Sequence, residues 1–232
     1  MRKILAVLTA LALAACSGKP TKTEEEKAVS KKAEQAPEKF YAKFETTKGD
    51  FILEVVRDWA PRGADRFYEL LHDKYYDGSR FFRVRPGFIV QFGISKDPKQ
   101  SELWRQLKLP DDPVKQKNLK GYVSYAMAGP GSRTTQVFIN LANNSGRLDG
   151  SGFAPFARVV EGMDVVEKLY AGYGEVQALG GGGPDSLKIE GLGEEYLARN
   201  FSRLDKIDQV TIVDYSPKAD AAGTAAKTGA KH

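Results

Sequence analysis

The sequence FFRVRPGFIVQFG, residues 81–93, consists of two short apolar runs joined by a Pro-Gly turn. Apolar runs separated in this way predict two antiparallel strands. Two arginines, Arg83 and Arg85, interrupt the first run, although a buried strand normally excludes charged residues. Either they point to water on an alternating face, or a cation is held at the rim of an apolar site. A regular strand would place both on one face, so the alternation does not distinguish them.

The segment before this hairpin predicts another one. In FYAKFETTKGDFILEVV, residues 40–56, apolar and polar positions alternate on both sides of Lys48-Gly49-Asp50, which is typical of a β-hairpin. A helix is predicted after Pro61, because apolar residues recur at three- and four-residue spacing as far as Tyr75. One face of this helix is expected to cover the end of a sheet.

The rest of the middle of the chain predicts more strands and a second helix. A long polar connection is expected at 94–119. The second helix is expected in EGMDVVEKLYAGY, residues 161–173. An added short helix is expected near 194–203. Further strands are expected at about 121–128, 135–141, 153–160 and 208–215. Many strands, two spaced helices and no βαβ alternation predict a mainly β fold, a closed antiparallel barrel capped by helices.

The N-terminus predicts export. Residues 1–15 place two basic residues before an apolar run that is too short for a spanning helix, which is typical of a signal peptide. The following Cys16 completes LAAC, which resembles the lipobox of bacterial lipoproteins, so Cys16 is predicted to be lipidated. It is the only cysteine of the chain, so no disulfide can form within the protein. The alternatives are a secretory signal with an incidental cysteine, or an uncleaved apolar helix.

Composition sets the limits of the folded domain. Residues 16–38, after the cysteine, and residues 216–232 are rich in Lys, Ala and Pro or Gly and have no aromatic residue. They are predicted to be a flexible linker and a disordered tail, which leaves 39–215 as the folded domain. A lipidated cysteine would anchor this domain to the cell envelope, facing the periplasm. Ser17, rather than an aspartate, favours the outer membrane.

The residue inventory excludes several functions. The chain has 232 residues and a net charge of +5, with 35 basic and 30 acidic residues, which argues against nucleic-acid binding. His72 and His232 are the only histidines, and neither has an evident Ser or Cys nucleophile as a partner. Acidic residues are scattered and no dinucleotide fingerprint is present, so neither a metal nor a cofactor is predicted.

Three segments together resemble the cyclophilins, a family of peptidyl-prolyl cis-trans isomerases. They are FFRVRPGFIVQFG at 81–93, YVSYAMAGPGSRTTQVFINL at 122–141 and GRLDGSGFAPFARVVEGMDVV at 146–166. The resemblance extends in order over roughly residues 40–215. It implies an eight-stranded barrel, isomerisation of X-Pro bonds in exported or envelope proteins, no cofactor, proline-containing polypeptides as partners, and a monomer.

The resemblance also assigns site residues. It implies that Arg83 and Gln136 are catalytic. The substrate-binding residues that it implies are Phe88, Ile89, Gln91, Ala126, Met127, Ala128, Phe138, Leu148 and Phe153. Without the resemblance, the apolar members would be interpreted as barrel core, and the glutamines as residues of a strand surface.

Several positions depart from the family pattern. Ile89 replaces a common Met. Met127 replaces a common Asn, a change of side chain that should preserve a main-chain contact between residue 127 and the substrate backbone. Arg147 stands where many members have a Trp that contacts cyclosporin, which puts drug binding in question. A pocket histidine is missing after Leu148-Asp149-Gly150, and Phe153 is assigned to that wall. Arg80, Arg85 and Arg147 are interpreted as rim or surface charges.

Two other functions remain as alternatives. The missing histidine and the replaced Trp are also consistent with a weakly catalytic or non-catalytic module that binds proline peptides as a membrane-anchored chaperone. A purely structural envelope lipoprotein is the third hypothesis, which the joint presence of Arg83, Gln136 and Phe138 disfavours.

Overall fold

The computed structural model describes residues 35–216. The predicted signal peptide, Cys16, the linker as far as residue 34 and the tail beyond residue 216 lie outside the described residues, and the domain boundaries stay predictions. No helix within 35–216 is long and apolar enough to cross a lipid bilayer.

The described residues form a mainly β fold, as predicted. Eight antiparallel strands belong to one sheet, in the order β3-β4-β6-β5-β7-β2-β1-β8. The strands are β1 (Lys39–Thr46), β2 (Gly49–Val56), β3 (Arg83–Arg85), β4 (Ile89–Phe92), β5 (Tyr122–Tyr125), β6 (Val137–Asn140), β7 (Pro155–Glu161) and β8 (Ile207–Val213). Both hairpins predicted from the sequence are present, β1–β2 and β3–β4.

The two ends of the strand order approach each other just before β3 and β8. A single antiparallel bridge joins Arg80 to Lys206. Beside it, the amide of Phe81 donates to the carbonyl of Asp205 at 3.0 Å, and the amide of Ile207 donates to the carbonyl of Ser79 at 2.8 Å. The sheet is therefore curled, and closure by a continuous ladder stays a prediction.

Five α-helices lie in the described part of the chain. They are α1 (Pro61–His72), α2 (Pro98–Gln106), α3 (Ser145–Leu148), α4 (Met163–Glu167) and α5 (Ser186–Asn200). The predicted helix after Pro61 is confirmed, and its apolar face, including Phe67 and Leu70, is buried in the main core. The helix predicted at 161–173 is shorter, because the chain beyond α4 turns away and the amide of Tyr170 donates to Asp205 at 2.7 Å.

Two expectations about helices were wrong. The connection at 94–119 contains α2, which starts where the Asp97 side chain accepts a hydrogen bond from the amide of Lys99 at 2.9 Å and which buries Trp104. The added helix begins at Ser186, well before residue 194. Its first half has no apolar periodicity, since glycines interrupt the pattern and Gly193 kinks the helix with a φ of 57°.

A second, smaller apolar cluster holds residues 173–204, called the C-terminal arm below, against residues that flank β3 and β4. Its members are Phe82, Ile94, Val176, Ile189, Leu197, Phe201 and Leu204, all buried. Arg80 reinforces this contact, since its Nε donates to Glu194 Oε2 at 2.9 Å and its Nη1 to the carbonyl of Leu204 at 3.0 Å. Only 10% of the Arg80 side chain is exposed, so its interpretation as a surface charge was wrong.

Candidate active site

The strand register places the predicted polar and apolar site residues in adjacent rows. Arg83 pairs with Gln91, and Gln91 pairs with Phe138, so the three lie side by side across β3, β4 and β6. Directly opposed residues of antiparallel strands share a face of the sheet. Arg85, paired with Ile89, belongs to the next row on the same face. The expectation that the two arginines share a face is therefore confirmed.

The surroundings of the two arginines differ. The Arg83 side chain is 14% exposed, whereas the Arg85 side chain is 45% exposed. Arg83 donates from Nη1 to Gln91 Oε1 and from Nη2 to Glu175 Oε2, both at 2.9 Å. Arg85 makes one bond of 3.2 Å to the same Glu175 oxygen. Arg83 is therefore the arginine that is both enclosed and oriented.

A chain of side-chain hydrogen bonds continues from Arg83 across the site. Gln91 Nε2 donates to Gln136 Oε1 at 3.0 Å, and Gln136 Nε2 donates to Glu190 Oε1 at 3.4 Å. Arg83 has no acceptor atom, so it turns the oxygen of Gln91 towards itself and the amide group of Gln91 towards Gln136. The orientation of both glutamine amides thus follows from the arginine at one end and the carboxylate at the other.

An apolar cluster adjoins this polar chain. Ile89, Phe138 and Leu148 are 3–6% exposed and form a cluster separate from the main core, against which Phe88, Ala126 and Phe153 pack. The rings of Phe138 and Phe153 meet edge to face, with 5.6 Å between their centroids. These side chains are consequently not part of the main barrel core, which is the alternative that composition alone leaves open.

The Pro-Gly turn of the opening segment positions Phe88. Gly87 has a φ of 73°, a conformation that favours glycine. The Phe88 amide then donates to the carbonyl of Arg85 at 2.9 Å, and the Phe88 carbonyl accepts from the side chain of Asn144 at 2.9 Å. The guanidinium carbon of Arg147 lies 4.5 Å from the centre of the Phe88 ring. Arg147 therefore covers an aromatic wall of the site, through a cation–π contact.

These groups line one cavity of about 700 Å³. Every residue of the domain that the sequence analysis assigned to catalysis or substrate binding contributes to its wall: Arg83, Phe88, Ile89, Gln91, Ala126, Met127, Ala128, Gln136, Phe138, Leu148 and Phe153. Cys16, the predicted lipidation site, lies outside the described residues. The wall has an apolar end and a cationic donor, so it can hold a small apolar ring while a hydrogen bond is donated to a neighbouring oxygen or nitrogen atom.

Sequence reasoning missed the contribution of the C-terminal arm and of the α2 region to this wall. The arm supplies Glu190 directly and, behind Arg83, Glu175; further wall residues are Arg105, Lys108, Ser132, Thr134, Ser151, Ser186 and Leu187. The sequence around Glu175 and Glu190 has no motif. The one signal in the sequence is that each glutamate is adjacent to an apolar residue, Glu175 to Val176 and Glu190 to Ile189. Both apolar residues are buried in the cluster that docks the arm.

Two glutamates of the arm, Glu175 and Glu190, have opposite shifts in pKa. Burial raises the pKa of Glu190, although the charge of Arg105 and the hydrogen bond from Gln136 oppose this. Burial acts in the same direction on Glu175, but the hydrogen bonds from Arg83 and the Val176 amide, with the charges of Arg83 and Arg85, outweigh it and lower the pKa of Glu175. Glu175 is therefore the stable anion beside Arg83. Within residues 35–216, no group of three or more His, Cys, Asp or Glu side chains could hold a metal ion.

Comparison with known proteins identifies the family. The family model of cyclophilin type peptidyl-prolyl cis-trans isomerases matches residues 41–184. Peptidyl-prolyl cis-trans isomerase B of Escherichia coli K12 is 34% identical over 139 residues, which are 54% of this chain and 81% of that protein. Peptidyl-prolyl cis-trans isomerase A of Dickeya dadantii is 36% identical over 135 residues, which are 53% of this chain and 67% of that protein.

Solved structures show the same fold. The crystal structure of a cyclophilin type peptidyl-prolyl cis-trans isomerase from Cryptosporidium parvum matches with a TM-score of 0.54 at 18% identity, covering 77% of this chain and 99% of that chain. A second structure of that protein, in the presence of the dipeptide Ala-Pro, has a TM-score of 0.53. The family match ends at residue 184, so α5 lies beyond it. The fold, the matched segment and these relatives show that the chain belongs to the cyclophilin type peptidyl-prolyl cis-trans isomerase family.

Proposed function

We propose that this chain catalyses the cis-trans isomerisation of X-Pro bonds with Arg83 as hydrogen-bond donor. The observation that carries the proposal is the position of Arg83. Its side chain is 14% exposed and lies on the wall of the cavity whose apolar end is formed by Ile89, Phe138 and Leu148. A pyrrolidine ring fits this apolar end by its chemistry, and the peptide bond before it would then lie within reach of the guanidinium.

The reaction requires no nucleophile or metal ion. Amide resonance opposes rotation about the X-Pro bond with a barrier of about 18–20 kcal/mol. In the twisted state the prolyl nitrogen loses conjugation and gains a lone pair. A donor aimed at that nitrogen, or at the carbonyl that steers it, stabilises the twisted state more than either planar state, which is the condition for acceleration. Arginine suits this role because it stays charged.

The donor accounts for part of the acceleration. A hydrogen bond to a charged group contributes roughly 1.5–3 kcal/mol, which corresponds to about one to two decades in rate. The rest is assigned to the site as a whole. The apolar end immobilises the ring, and Gln136 with the main chain at Met127 holds the flanking peptide, so that only one side of the bond rotates.

Exchange NMR on a proline peptide, with the full-length chain, tests the proposal. We expect Arg83→Ala to lower kcat/KM by about tenfold to a hundredfold. The matched control is Arg85→Ala, on the same strand and the same face, but 45% exposed. An exposed ion pair contributes little, so this change is expected to alter kcat/KM by less than about threefold.

The two variants distinguish the candidate functions. Equal activity of the parent and Arg83→Ala would overturn the assignment of Arg83. The non-catalytic chaperone hypothesis predicts instead that the parent binds the peptide without turnover and suppresses aggregation of an unfolded client. Normal turnover without an effect on client aggregation would exclude that hypothesis.

We also propose that the domain acts in the cell envelope on exported proteins, anchored by a lipidated Cys16. The support is the sequence: an apolar run after two basic residues, followed by LAAC and a linker without aromatic residues. Two or more acyl chains would give stable membrane attachment. Mass spectrometry of the mature N-terminus is expected to find an acylated Cys16 as the first residue, and Ser17 predicts recovery in the outer-membrane fraction. An unmodified N-terminus at another residue would contradict the anchor.

A further inference from the structure

Glu175 approaches Arg83 from the C-terminal arm. Its Oε2 accepts the 2.9 Å hydrogen bond from Arg83 Nη2, and its Oε1 lies 2.5 Å from Arg83 Nε, without the alignment of a hydrogen bond. The carboxylate thus faces the Nε and Nη2 edge of the guanidinium. The opposite nitrogen, Nη1, donates to Gln91.

This arrangement fixes the guanidinium plane from two sides. A guanidinium is a planar fork, so contacts at Nη2 and Nε on one edge and at Nη1 on the other determine the direction of its remaining N–H groups. If Gln91 were the only partner, the guanidinium could still rotate about its Nη1 hydrogen bond. Glu175 removes that freedom, and its negative charge holds the cation at the cavity wall.

The arm is built to hold the Glu175 backbone and carboxylate in place. Glu175 Oε1 accepts from the Val176 amide at 3.0 Å, and Val176 is buried in the cluster that docks the arm. The run of four glycines at 180–183 closes around the same residue. The Gly183 amide donates to the Glu175 carbonyl at 2.8 Å, and a Cβ on Gly181 would collide with that carbonyl. The glycines permit this close approach.

We propose that Glu175 is a positioning residue for the isomerase reaction: it holds the Arg83 guanidinium in the orientation that serves the twisted amide. The inference rests on the proposed role of Arg83 as donor. Glu175 need not touch the peptide, since it acts through the arginine. Its loss should therefore lower stabilisation of the twisted state and leave ground-state binding in the apolar pocket nearly unchanged.

The primary variant is Glu175→Gln, which keeps the shape and an acceptor oxygen but removes the charge. Exchange NMR on a proline peptide is expected to show a loss in kcat of about three- to thirtyfold, which lies within the range of coupling between residues in contact, with KM changed less than about twofold. The matched control is Glu194→Gln. Glu194 is also an arm carboxylate paired with an enclosed arginine, Arg80, but neither residue lines the cavity. Its loss is expected to leave kcat unchanged.

A double-mutant cycle separates positioning from a structural role. In the Arg83→Ala background, Glu175→Gln is expected to have no further effect on kcat, because its only route to the reaction is absent. NMR of the Arg83 side chain provides a second readout, since rotation of the guanidinium should be faster in Glu175→Gln than in the parent chain and unchanged in Glu194→Gln.

The outcomes distinguish the inference from the function on which it rests. If Arg83→Ala lowers kcat but Glu175→Gln equals or exceeds the parent, the positioning role is overturned and the role of Arg83 stands. If Glu175→Gln lowers kcat as much in the Arg83→Ala background as in the parent chain, or if Glu194→Gln lowers it equally, Glu175 has a structural role only. If Arg83→Ala has parental activity, the proposed catalytic role itself fails.

Discussion

Strands β4 and β6 carry buried apolar residues on both faces, and the two faces differ in what covers them. On the inner face, Val90 and Ile139 pair with each other and are fully buried in the main core. On the outer face, Ile89 and Phe138 are each 3% exposed but belong to the separate cluster that lines the cavity. The inner face is covered by the rest of the sheet and α1. The outer face instead lines the cavity, which is large enough for a ligand.

The difference shows that burial alone does not tell a core residue from a site residue. Every residue of both strands is buried, which is typical of strands covered on two sides, and the two polar residues, Gln91 and Asn140, both lie on the outer face. The inner row stabilises the fold by filling space, whereas the outer row leaves space and places a cation beside it. Substitutions on the two faces should therefore separate loss of stability from loss of activity.

The largest effect is expected from Phe92→Ala on the inner face. Phe92 is 0% exposed, and its ring meets the rings of Phe44, Tyr76 and Phe81 at 5.3–5.7 Å. Removal of a fully buried aromatic side chain lowers the free energy of unfolding by about 3–5 kcal/mol. Denaturant unfolding measures this loss. A change below about 1 kcal/mol would show that this face is not a packed core.

The next effect is expected from Phe138→Ala on the outer face. The ring of Phe138 packs against Phe153 and the cavity, so its removal should lower kcat/KM about thirtyfold, as for a residue that anchors a bound ring. The free energy of unfolding should fall less than in Phe92→Ala, because one side of the ring faces the cavity. Phe138→Leu is the control, expected to retain more activity. A larger loss of stability in Phe138→Ala than in Phe92→Ala would remove the distinction between the faces.

The strands and the cavity wall that they carry could be predicted from the sequence. Alternation defines β1 and β2, and the Pro-Gly turn defines β3 and β4. The choice between Arg83 and Arg85 needed more than alternation, since both lie on one face and both contact Glu175. The resemblance to a family selected Arg83, and the structure adds the physical difference, which is the enclosure of Arg83 between Gln91 and Glu175.

The C-terminal arm could not be predicted in this way. Its helix α5 is kinked at Gly193, so the apolar residues do not follow one helical period. The contact of Glu175 with Arg83 joins residues 92 positions apart in the sequence, and neither local pattern nor composition indicates such a pairing. The role of the glycine run at 180–183 became visible only once the position of the Glu175 carbonyl was known.

A smaller effect is expected from Gly181→Ala. The added Cβ would collide with the carbonyl of Glu175, so the loop must shift and Arg83 should lose part of its orientation. We expect a loss in kcat of a few-fold, roughly 0.5–1 kcal/mol in the barrier, as for a modest coupling between contacting residues. Gly182→Ala is the matched control, because nothing lies within 4 Å of a Cβ at that position. Equal kcat values for the two variants would show that the glycine loop does not influence the orientation of Arg83.

The smallest effect is expected from pH, because the pKa shifts of Glu175 and Glu190 have opposite directions. The pKa of Glu190 is raised, with burial as the main cause, so on acidification it should protonate before Glu175, whose pKa the Arg83 hydrogen bond lowers against the effect of burial. Glu190 faces Arg105 and Gln136, and Glu175 faces Arg83, Arg85 and the Val176 amide.

Since the folded pKa of Glu175 is depressed, its contribution to stability is present above the unfolded value of about 4.3 and is lost as the pH falls through the folded value. In the range where Glu190 is neutral and Glu175 is charged, Arg83 stays oriented and kcat should change by less than about twofold. Carbon-13 NMR of the two carboxyl groups, recorded with kcat at each pH, measures both events. A fall of kcat that follows Glu190 rather than Glu175 would transfer the orienting role from the arginine end of the hydrogen-bond chain to the glutamine end.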